Sequence, residues 1–102
     1  MIYKPDKWVI MRIGDTPYKV FGTWTGGYLD SDQWRLNSGI VHVTDKERYY
    51  LFHGESGSVY QCYKNSYGTT AYGLGIITEW LKYPLVKLLD DCDWEERINE
   101  RD

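Results

Sequence analysis

No run of apolar residues in this chain approaches the ~20 needed to cross a bilayer as a helix. The opening Met1–Lys7 also lacks the hydrophobic stretch of a secretion signal. Cysteine is scarce, with only Cys62 and Cys92 in 102 residues, too few for a disulfide framework. No Asn-x-Ser/Thr glycosylation acceptor occurs. These absences point to a protein with no membrane partner, both thiols reduced, in a cytoplasm. Length allows one domain, residues 1–102, with a single core.

An excess of positive charge is missing too. Residues 1–89 hold ten Lys/Arg against eight Asp/Glu, whereas residues 90–102 hold two Arg against seven acids. The body is nearly neutral and the C-terminal segment is acidic. Gripping nucleic acid irrespective of sequence takes clustered cations that displace condensed counterions. Arg35, Arg48, Lys64 and Tyr63 could contribute to such a surface, but the charge balance argues against it. The acidic segment reads as a solvated helix face or a frayed tail, with a contact for a basic partner as the alternative.

What the chain has in quantity is aromatic surface. Ten Tyr and five Trp raise the aromatic share to 17%. Each large ring can bury roughly 150–250 Å², so a short chain can build its core from few residues. The same residues are also enriched where proteins meet partners.

Lys7–Ile13 is apolar on both alternations, which suits a central strand covered on two sides. Gly14-Asp15-Thr16-Pro17 is a turn, and Tyr18–Trp24 reads as the return strand of a hairpin. Trp34–Val43 looks like a strand interrupted at Asn37-Ser38-Gly39 by a bulge or tight hairpin. On the bulge reading, Trp34 and Leu36 share a face with Val41 and Val43. Arg48–His53 and Ser58–Lys64 are further strands. Tyr72, Ile76, Ile77, Trp80 and Leu81 then form one helical stripe, with Thr69 or Thr70 as cap and Pro84 beyond its end. Leu85–Leu89 leans to strand, and Asp93–Glu100 reads as a short acidic helix capped by Asp93. The expected fold is α+β: a twisted antiparallel sheet of about five or six strands, one packed helix and the acidic C-terminal helix.

Two polar, glycine-punctuated segments stand out, Trp24–Ile40 and His53–Cys62. Gly, Asn, Asp and Ser at this density mark places where backbone turns, visits positive φ or approaches something closely. Gly54-Glu55-Ser56-Gly57-Ser58 has only a superficial likeness to a nucleophile elbow. Its second Gly comes one position early, and a strand rather than a helix follows. His42, His53, Cys62 and Cys92 lack the paired short spacings of a zinc site. Asp30-Ser31-Asp32 starts like a calcium loop, but Trp34 falls on the next ligand position. No catalytic residue, metal or cofactor is therefore expected.

The remaining chemistry is recognition. Tyr28, Trp34 and Arg35, with the turns Asn37-Ser38-Gly39 and Ser56-Gly57-Ser58 and the neighbouring His53, could line a shallow concave site. Successive turn amides can hold an anion, so one candidate partner is a small phosphate-bearing ligand of nucleotide type. Tyr, Trp and Arg dominate protein interfaces, so the other candidate is a protein. A short sheet with exposed edges and few prolines also suggests a homodimer.

At Trp24–Leu29, Trp34–Ile40 and Ser56–Cys62 the chain resembles a group of small tailed-bacteriophage proteins. They share the pattern Trp-x-Gly-Gly-Tyr-Leu, Trp-Arg-Leu-Asn-Ser-Gly-Ile and Ser-Gly-Ser-Val-Tyr-x-Cys. The likeness covers roughly residues 20–68 and brings no assigned activity or functional residue. It implies a phage protein working in the bacterial host cytoplasm, and, by analogy, an accessory protein that engages or inhibits a host or defence protein.

Overall fold

A computed structural model gives the architecture and describes residues 1–25, 33–89 and Trp94. Among the described residues the elements follow in the order β1 (Ile2–Tyr3), β2 (Lys7–Ile13), β3 (Lys19–Trp24), β4 (Gln33–Leu36), β5 (Ile40–Asp45), β6 (Tyr49–Gly54), β7 (Val59–Tyr63), α1 (Ala71–Trp80) and β8 (Val86–Leu88). A 3-10 turn, Lys64–Ser66, leads out of β7. The class is α+β. The single sheet of five or six strands is corrected to two sheets of four, ordered β1-β7-β6-β5 and β4-β3-β2-β8. Every pairing within them is antiparallel except β1 with β7.

The two sheets face each other across an aromatic core. Trp8, Ile10 and Val20 from one sheet, with Tyr18 just before β3, meet Ile40, Phe52, Tyr60 and Cys62 from the other, and Trp94 joins them. The Trp8 ring lies within 4.8–6.1 Å of Tyr50, Phe52, Tyr67 and Trp94, centre to centre. Its indole N–H donates to the carbonyl of Tyr63 at 2.7 Å, which removes the cost of burying that donor.

The opposite face of the β2-bearing sheet is closed by α1. Val9, Met11 and Phe21 pack there on Ile77, with Leu36, Ile76, Trp80 and Val86 around them. The two apolar alternations of Lys7–Ile13 thus serve two cores, as a strand covered on both sides requires. Thr70 caps α1, its hydroxyl accepting from the Gly73 N–H at 3.1 Å. Tyr72 and Leu81, the ends of the expected helical stripe, stay exposed while Gly73 and Ile77 are buried.

Asn37-Ser38-Gly39 forms neither a bulge within one strand nor a hairpin. It carries the chain from the edge strand of one sheet, β4, to the edge strand of the other, β5. The shared face of Trp34, Leu36, Val41 and Val43 is lost with it: Leu36 belongs to the helix-side core and Val43 to the core between the sheets. The final strand is present as β8. The hydroxyl of Tyr67 is wedged beside it, accepting from Ile10 N–H at 3.0 Å and donating to the Leu89 carbonyl at 2.6 Å. The acidic helix expected at 93–100 lies outside the described residues, apart from Trp94.

Candidate functional site

The two glycine-punctuated segments, separate in sequence, come together at one end of the sheets. The Ser38 hydroxyl accepts from Ser56 N–H at 3.0 Å, and the Gly39 carbonyl accepts from Glu55 N–H at 2.9 Å. Within the second segment Gly57 N–H donates to the Gly54 carbonyl, and Gly54 N–H to the Ser58 carbonyl. Lys19 reaches across to the Ser38 carbonyl at 2.6 Å. Asn37 is buried beneath, its side-chain oxygen accepting from Val20 N–H at 2.8 Å. The amides of Glu55 and Ser56 are therefore spent on holding one turn against the other, and that of Gly57 on closing its own turn. A phosphate seeking a nest of free amides would have to displace those bonds.

Glycine has a geometric reason at two of these positions. Gly39 and Gly57 sit at φ +145° and +93°, which L side chains rarely adopt. At Gly39 a Cβ would also stand 2.7 Å from a carboxylate oxygen of Glu55.

Trp34 and Arg35 are both exposed, but β4 sends them to opposite faces. Trp34 stacks on Phe21 at 5.6 Å and meets Trp80 edge-on at 5.0 Å, on the helix side. Arg35 places its guanidinium 4.5 Å from the ring centre of Tyr3, at the edge of the space between the sheets. Burial pushes the nearby Tyr60 hydroxyl above its ordinary pKa, with Arg35 pulling the other way. An exposed ring lying beside Arg35 is thus not what β4 presents, because neighbouring strand residues point apart. Tyr28, the other ring expected at this site, lies outside the described residues.

Gln33, Trp34, Arg35, Leu36 and Tyr72 line a shallow depression of about 480 Å³ along β4. Trp34 is 38% exposed there and Tyr72 40%. Tyr72 was legible only as part of a helical stripe. Its place opposite the β4 edge depends on how α1 packs, which spacing alone does not reveal.

His53 lies away from this depression, on the outer face of the β1-β7-β6-β5 sheet, directly opposite His42. Among the described residues no three His, Cys, Asp or Glu side chains cluster as a metal site, and no helix is long and apolar enough to cross a membrane. No family model, curated protein or solved structure matches this chain.

Proposed function

We propose that this chain is a small phage-type accessory protein, a non-enzymatic binding module that engages or inhibits a bacterial host or defence protein. One observation supports the reading above the rest. The shallow depression between β4 and the first turn of α1 keeps large parts of the Trp34 and Tyr72 rings in solvent. Rigid aromatics of this kind supply contact area at low entropic cost. Trp34 is already held by Phe21 and Trp80, so little side-chain freedom is lost on binding.

The test is capture from bacterial lysate, read by native mass spectrometry, with wild-type protein and a Gln33→Ala/Tyr72→Ala double variant. Both positions are exposed, so the variant is expected to melt with the wild type while losing the retained protein. A wild type that retains no protein, or a variant that retains it equally well, overturns the reading.

A further inference from the structure

The geometry points to a divalent transition-metal site at the cross-strand pair His42 and His53, taking a borderline cation such as zinc or nickel. The two residues are eleven positions apart in sequence, and β-sheet register alone brings them together. Ile40 pairs with Gly54, and the next pair along is His42 with His53, so Val41 is an extra residue in β5. Without that insertion Val41 would face His53. The bulge places one imidazole opposite the other, on a sheet face where His42 is exposed and His53 half-buried.

The spacing suits a shared ion. The ring centres are 5.2 Å apart, with the planes at 43°. An ion about 2.0–2.1 Å from a nitrogen of each ring, seen at a tetrahedral angle, puts the ring centres roughly 5 Å apart. Thr44 supplies the outer contact such a ligand uses. Its hydroxyl oxygen lies 3.1 Å from Nε2 of His53. With Nε2–H donated to Thr44, Nδ1 of His53 carries the lone pair, the pattern of a metal-bound imidazole whose second nitrogen is held.

Two imidazoles leave coordination positions for water or for a donor on another molecule. No third His, Cys, Asp or Glu joins them among the described residues. Imidazole donors favour zinc, nickel and copper over calcium or magnesium. The site is independent of the depression beside β4, so failure of either proposal leaves the other standing.

The experiment is titration of untagged protein with Ni²⁺, followed by calorimetry and by ¹H–¹⁵N spectra, in which the paramagnetic ion broadens nearby amides. Wild type is expected to bind one ion, with broadening centred on residues 42–44 and 52–54. His42→Ala and His53→Ala should each weaken binding at least tenfold, and Zn²⁺ should raise the melting temperature of wild type only. No binding up to millimolar Ni²⁺, broadening centred elsewhere, or single variants within twofold of wild type would overturn the site. The broadening map uses wild-type protein alone, so it decides the question even if a variant misfolds.

Discussion

The hydroxyl of Ser38 accepts the backbone N–H of Ser56, binding the connection between the two sheets to the turn joining β6 to β7. Eighteen residues separate them, yet each turn finishes the other's hydrogen bonding. What reads in sequence as two separate site candidates is, in the fold, one clasp.

The clasp should depend on Gly57. Its φ of +93° is the constraint, since nothing lies within 4 Å of an added Cβ. Gly57→Ala is expected to cost about 1–2 kcal/mol through the backbone alone. Thermal melting checks this, and an unchanged melting temperature refutes the turn.

The two glycines of α1 should behave oppositely. Both weaken a helix by about 1 kcal/mol relative to Ala. A Cβ at Gly73 would collide with the Thr69 hydroxyl and stand 2.6 Å from Cγ2 of Thr23 on β3. Gly75 has open space around it. Gly75→Ala is therefore expected to stabilise by up to about 1 kcal/mol, while Gly73→Ala destabilises because α1 must lift off the sheet. Urea denaturation of both variants measures the difference. Equal effects would show that helix propensity, and not the helix–sheet contact, decides.

Cys62 is fully buried, and burial pushes its thiol well above the ordinary range. Tyr60 is raised in the same direction for the same reason. In the unfolded chain these groups ionise near pH 8.5 and 10, before they can in the fold. Their stabilising effect is thus fully present below those values and is lost as pH rises through the folded pKa values. Stability should decline above about pH 9, and Cys62→Ala should flatten the first part of that decline. In a Cys92→Ser background, a thiol reagent at neutral pH should label only the unfolded protein. Rapid labelling of the folded protein would contradict the burial.

Local signals carried the sequence reading a long way. The β2–β3 hairpin, the two-sided burial of β2, the Thr70-capped helix and the strand nature of β8 all rest on periodicity and turn chemistry. The division into two sheets does not, because hydrogen-bond partners are chosen by tertiary packing. Asn37-Ser38-Gly39 looks the same whether the chain bulges, turns back or changes sheets. Strand alternation parts Trp34 from Arg35, two residues expected in one site, and the place of Tyr72 beside Trp34 is set by how α1 packs. His42 and His53 meet only through the extra residue at Val41, and no single-sequence signal marks that register.

Neither sheet is built from a continuous stretch of chain. One uses strands 1, 5, 6 and 7, and the other uses 2, 3, 4 and 8. The β5–β6–β7 meander and the β2–β3 hairpin need only short loops to close. β1 must find β7 across more than fifty residues, and β8 must find β2 across more than seventy. Closing such loops costs entropy before any contact rewards it, which slows folding of chains rich in distant pairings. Topology therefore favours early formation of the local pieces and late pairing of the two outlying strands. Half of this chain, cut anywhere near its middle, would hold fragments of both sheets and the whole of neither.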